Sequence, residues 1–177
     1  MDRVMLNLPE DVHGELLSHL LPANSLIEEA AFVFVHSTSN GGKFVFRFIE
    51  WFAVEPEGFV HRSEGYLELT DITRAQVIKR AHDLGASIVE FHSHPYPWPA
   101  VFSQSDRKGL DEFVPHVWWR LKGRPYVAVV VSPSGFDGLA WVSNPKTPQL
   151  LDGMQVGERV LCPTGLTLHR WEATDGW

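Results

Sequence analysis

The chain has 177 residues, 44% of them hydrophobic and 21% charged, and a formal net charge of −7. That length and balance predict one domain over residues 1–177 with a full core, and exclude disorder and fibrous repeats. The acidic balance argues against nucleic acid or an anionic membrane as the main partner, and a single cysteine, Cys162, excludes a disulfide framework or a cysteine-rich zinc knuckle.

A metal, if one binds, must therefore be held by His, Asp and Glu. The opening residues 1–7 lack the basic-then-apolar order of a signal peptide, and no apolar run approaches the roughly 18 residues that span a bilayer. The cytoplasm is the expected compartment.

Leu8-Pro9-Glu10-Asp11 opens a helix, since proline suits the first turn and acids suit its dipole. Val12, Leu16, Leu17, Leu20 and Leu21 recur at helical spacing until Pro22 stops them. His13 and His19, in that helix, read as solvated side chains. Residues 26–35 run into a continuous apolar strand, as a central strand covered on both faces would, with Glu28 and Glu29 at its mouth. A turn over 37–42 and a return strand over 43–52 predict an antiparallel hairpin. Residues 55–58 read as loop and 66–69 as a short strand. Thr70-Asp71 caps a helix whose apolar face is Ile72, Ala75, Val77, Ile78, Ala81 and Leu84, with Gly85 ending it.

Residues 87–91 form the next strand. A helix beginning near Ser103 and running through Leu110 and Phe113 is expected to stop at Pro115, leaving 116–120 as an aromatic segment without an assigned form. Residues 126–131 read as a buried strand, turning at 132–135 onto a partner over 139–142. After a loop at 144–148, two short tail strands are expected over 158–161 and 166–171. The fold class is α/β (α+β): a mixed central β-sheet flanked by helices.

The chemistry concentrates in Phe91-His92-Ser93-His94-Pro95, which closes a strand, and Ser103-Gln104-Ser105-Asp106, which opens a helix. Alternation sends His92 and His94 to the same face, roughly 6.5 to 7 Å apart at Cα, close enough for both imidazoles to lean onto one ion. Asp106 is the natural third ligand, although Ser103-x-x-Asp106 also has the spacing of a helix capping box. The prolines at 95, 97 and 99 stiffen the connection and hold the carboxylate near the imidazoles. Two His and one Asp around zinc, one ion per chain, leave a fourth position for water, as catalytic sites do. Such a water needs a carboxylate that moves protons without binding the metal. Glu28, Glu29 and Glu90 compete for that role. Glu90 shares the face of His92 one pleat deeper and suits an orienting partner of the histidine better.

Glu28 followed by a strand, then His92-Ser93-His94-Pro95 and Ser103-x-x-Asp106, resembles the JAMM/MPN (JAB domain) zinc metalloproteases, over about residues 8 to 143. The departure is one extra residue between His94 and Asp106, placed in the loop 96–102. The resemblance implies an MPN/JAB domain of cytidine-deaminase-like architecture, in the stand-alone prokaryotic branch. It implies zinc on His92, His94 and Asp106, Glu28 as base and then acid, and Ser103 donating to the oxyanion. The implied reaction is hydrolysis of a peptide or isopeptide bond after the C-terminus of a ubiquitin-like protein. Activating and conjugating enzymes are the implied associates, including in antiphage defence. The rival readings are processing of a ubiquitin-fold sulfur carrier and a non-catalytic MPN scaffold. Trp98, Phe102, Trp118 and Trp119 are candidates to grip an extended tail, and for Trp118 and Trp119 a core position is the commoner alternative.

Overall fold

Ala30 to Val35 are buried without alternation, because the strand they open lies mid-sheet with helices on both faces. The computed structural model describes residues 2–174; Met1 and 175–177 of the expected domain lie outside the described residues. In chain order the elements are β1 (Arg3–Leu8), α1 (Glu10–Leu20), β2 (Ala30–Asn40), β3 (Lys43–Ala53), β4 (Phe59–Arg62), β5 (Leu67–Leu69), α2 (Asp71–Leu84) and β6 (Ser87–Ser93). They continue with α3 (Gln104–Arg120), β7 (Tyr126–Ser132), β8 (Gly135–Trp141), β9 (Gln149–Leu150), β10 (Gly153–Val156), β11 (Arg159–Leu161) and α4 (Leu166–Thr174).

A curled, nine-stranded mixed sheet runs β11-β10-β1-β3-β2-β6-β7-β8-β9, while β4 and β5 pair separately. The mixed α/β class with flanking helices is as expected. On one face, Leu16 and Leu20 of α1 pack on Val33, Val89 and Phe91. On the other, Val77 and Ala81 of α2 and Leu110, Val114 and Val117 of α3 cover Ala30, Phe32 and Ile88. None of the helices among the described residues is long and apolar enough to cross a membrane.

Several expectations are corrected. β1 was not anticipated; it lies between β3 and β10, parallel to both. β2 extends to Asn40, and the turn narrows to Gly41 and Gly42, whose φ values of 56° and 77° suit glycine. β4 joins the expected short strand as a hairpin partner. α3 does not stop at Pro115 but continues to Arg120. An internal proline costs about 3 kcal/mol, whereas burying Leu110, Val114 and Val117 gains about 1.5 to 3 kcal/mol each, so packing carries the helix through.

Residues 166–174 are helix, not strand. Asp137 of β8 accepts from the backbone N–H groups of Gly165 (3.0 Å) and Thr167 (2.9 Å), so the first turn of α4 is satisfied from across the fold. His19 is half-buried rather than solvated, with Nε2 2.9 Å from the carbonyl of Ala30. His13 is half-buried too.

Candidate metal centre

The antiparallel pairing of β2 with β6 sets Ala30 opposite His92, so the residues entering β2 lie beside the residues leaving β6. Just before Ala30, the Glu29 N–H donates to Ser93 Oγ at 2.9 Å, and the Ser93 N–H returns a bond to the Glu29 carbonyl at 3.0 Å. The Glu28 N–H donates to the carbonyl of Ser63 in the β4–β5 turn at 2.9 Å. These bonds fix which glutamate faces inward. Glu28 is 4% exposed, with Oε1 3.8 Å from His94 Nε2, whereas the Glu29 carboxylate turns away to pair with Arg62.

Asp106 arrives from the other side. Ser103 caps α3 by accepting the Asp106 N–H on its hydroxyl at 3.1 Å, and Asp106 Oδ2 accepts the Ser103 N–H at 2.7 Å, a complete capping box. That same Oδ2 stands 3.4 Å from His92 Nε2 and 3.2 Å from His94 Nε2, and the two imidazole nitrogens are 3.2 Å apart. The carboxylate that completes the cap is thus also the one that faces both imidazoles.

A near-equilateral triangle of three lone-pair atoms suits a cation better than a hydrogen-bond chain. A tetrahedral ion with bonds of about 2.0 to 2.1 Å sets its ligand atoms about 3.3 to 3.4 Å apart, close to the three edges observed. His92, His94 and Asp106 could therefore hold a metal ion. The ring of Phe102 walls His92, their centroids 5.4 Å apart, while His94 and Asp106 keep partial exposure, so the triangle is open on one side.

Charge follows this geometry. Burial pushes the Glu28 carboxyl up, a rise that His92 and His94 oppose and Asp106 reinforces. Burial would lower His92, but the Asp106 carboxylate, with help from Glu90 and Glu28, outweighs it and raises the imidazole to about 9. Asp106 shows the reciprocal effect: burial opposes its ionisation, and the two histidines nonetheless hold it well below the usual carboxylate range.

Four of the predicted site residues, Glu28, His92, His94 and Asp106, meet here. Ser103 lies at their edge, exposed, its hydroxyl proton left free by the cap it accepts. Glu90 does not orient His92 by a hydrogen bond. It accepts the hydroxyl of Tyr126 instead, because the parallel register of β6 and β7 carries that phenol beneath it.

The loop 96–102 is pinned from behind by groups with no local signal. Phe102 N–H donates to Thr167 Oγ1 at 2.9 Å, Thr164 Oγ1 donates to the Ala100 carbonyl at 2.7 Å, and Ser134 Oγ donates to the Trp98 carbonyl at 3.0 Å. Ala100 and Phe102 are consequently buried, and the loop's slack collects in the exposed tip 97–99. Phe102, at 4% exposure, is therefore a wall and not a surface grip, whereas Trp98 is 55% exposed. Trp118 packs partly against the core, and Trp119 is 72% exposed. Ser93, Arg62, Thr164, Thr167 and Asp137 were all missed as supports; each acts through a contact distant in sequence.

No known protein-family model matches this chain, and no curated protein does either.

Proposed function

We propose that the chain is a zinc-dependent peptidase or isopeptidase of JAMM/MPN type, cleaving after the C-terminus of a ubiquitin-like protein in the cytoplasm. The observation that carries this reading is the triangle of His92, His94 and Asp106 with a buried glutamate beside it that is not one of its corners. Two imidazoles and one carboxylate form a donor set that suits zinc and leaves a position open. Zinc held there would supply a Lewis acid that polarises the scissile carbonyl and makes water acidic.

The protein's own residues do the rest. Glu28 takes the proton of the attacking water and passes it to the leaving amine, a task suited to a carboxyl raised by burial. The Ser103 hydroxyl, which accepts the Asp106 N–H and so keeps its own proton to give, would donate to the oxyanion that develops. His92 lies on β6, which has paired neighbours on both sides, and His94, just past its end, donates its N–H to the Val131 carbonyl at 2.8 Å, so both are held on fixed backbone. The sheet with α2 and α3 over the site face accords with an MPN/JAB domain of cytidine-deaminase-like architecture. The bond cleaved, and the association with activating and conjugating enzymes in an antiphage pathway, rest on the motif's resemblance. A complete ligand set argues against a non-catalytic scaffold.

The test is elemental analysis joined to a cleavage assay on the ubiquitin-like protein encoded nearest this gene, with wild type and Glu28→Ala side by side. About one zinc per chain in both proteins, with cleavage by wild type alone, is expected. Equal cleavage by both would remove Glu28 from the mechanism, and a chain that binds no zinc would remove the enzyme class.

A further inference from the structure

A pocket of about 430 Å³ adjoins the metal centre, running from His92 and Asp106 between α3 and β5 toward Arg74 of α2. Ala30, Phe32 and Glu90 are among the residues that line it, and Leu67 and Leu69 form one apolar wall. Glu90 is the anomaly. Its Oε2 accepts the Tyr126 hydroxyl, and among the described residues no other group bonds to its carboxylate. The unbonded oxygen is not sealed in the core, so it faces the pocket. Arg74 and Lys108 also line the pocket, and neither bonds Glu90; Arg74 stands 3.7 Å from Asp71 with its guanidinium 5.7 Å from the Phe113 ring centroid. A half-buried carboxylate with one oxygen left without a hydrogen bond is costly. A ligand that donates to that oxygen recovers the cost.

We propose that this pocket receives a basic side chain of the substrate polypeptide and that Glu90 selects it. The inference rests on the peptidase reading for its substrate class. Its location follows from the strand: Glu90 and His92 share one face at i, i+2, about 6.5 to 7 Å apart at Cα, which two residues of an extended chain also span. The selected side chain therefore belongs to a residue within about two positions of the scissile bond. The aliphatic stem of an arginine or lysine lies against Leu67 and Leu69 while its head reaches the open oxygen of Glu90. Tyr126 holds the carboxylate in place from below, which makes it a positioning residue.

Two measurements test this on the full chain. The first is an NMR titration of the zinc-loaded protein with N-acetyl-arginine amide and with its neutral isostere, N-acetyl-citrulline amide. The arginine amide should shift the backbone resonances of Glu90, Arg74 and Gly109, and the citrulline amide should bind about 10- to 100-fold more weakly. The second compares kcat/KM for quenched peptides that carry arginine or citrulline at each of the two positions on either side of the scissile bond. One position should favour arginine by a similar factor, and Glu90→Gln should erase that preference with zinc content unchanged. Equal binding of the two amides, or an arginine preference that survives Glu90→Gln, overturns the proposal. Should Glu90→Gln fail to fold, the arginine-to-citrulline comparison in wild type still decides. Arginine-selective binding with no cleavage of any peptide would overturn the peptidase reading and uphold the pocket. Cleavage indifferent to arginine would do the reverse.

Discussion

Glu29 and Ser93 bond to each other twice, N–H to hydroxyl at 2.9 Å and N–H to carbonyl at 3.0 Å, where β2 begins and β6 ends. That reciprocal pair closes the ladder one step beyond Ala30 and His92, and so sets the register of Glu28 against His94. Ser93 is fully buried, so removing its hydroxyl strands a backbone donor. Ser93→Ala should cost about 1 to 3 kcal/mol of stability. It should also weaken zinc binding, because both flanking histidines lose a fixed backbone. Thermal unfolding with and without zinc checks both; a variant with unchanged melting and unchanged zinc affinity would show that the pair is dispensable.

The same geometry separates two adjacent glutamates. Glu28 faces the metal triangle, and Glu29 pairs with Arg62. Glu28→Gln keeps the shape and removes the base, so hydrolysis should fall by about 10² to 10⁴ while zinc stoichiometry holds. Glu29→Gln should leave kcat within a few-fold of wild type, since its carboxylate points to the β4–β5 hairpin. Single-turnover cleavage of the two variants, each with its zinc content measured, makes the comparison; loss of activity in Glu29→Gln alone would reverse the assignment.

Two N-caps of the same kind allow the Ser103 hydroxyl to be judged. Thr70 caps α2 by accepting from the Thr73 N–H at 3.1 Å, and Ser103 caps α3 by accepting from the Asp106 N–H at 3.1 Å. Substitution by alanine should destabilise either helix by about 0.5 to 2 kcal/mol. Only Ser103→Ala should also lower kcat, by about 10² to 10³, the usual effect of losing an oxyanion donor. Matched losses of stability with matched kcat values would reduce Ser103 to a cap.

The grouping of His92, His94 and Asp106 was legible in the sequence because the three lie on one strand, turn and helix, where alternation and a capping signature suffice to place side chains. Glu28 was not separable from Glu29 and Glu90 on residue patterns alone; the choice needs the Ala30 to His92 register and the bonds of Ser93, which are tertiary. Likewise α4 is capped by Asp137 from β8, and the loop 96–102 is held by Thr164 and Thr167. Local periodicity carries no trace of partners so distant. At Pro115 the local rule was sound, but the buried row Leu110, Val114 and Val117 outweighed it.

A metal held by the triangle would compete with the proton for one imidazole, and His92 fixes the sign of that competition. In the metal-free protein its pKa is raised from 6.5 to about 9, so the protonated ring's attraction to Asp106 is fully stabilising below 6.5 and is lost as pH rises through about 9. A metal needs the same nitrogen deprotonated. Zinc affinity should therefore fall steadily as pH drops from about 9 and should level off above it. The melting temperatures of zinc-loaded and metal-free protein should accordingly diverge as pH rises from 6.5 to 9, the metal-free form weakening while the loaded form gains. Asp106→Asn removes the charge that raises His92, so its zinc affinity should be lower throughout and the pH dependence should move toward the ordinary imidazole range. Melting curves at several pH values in chelator-buffered zinc measure this. A zinc affinity independent of pH across that window would mean that His92 is not a ligand.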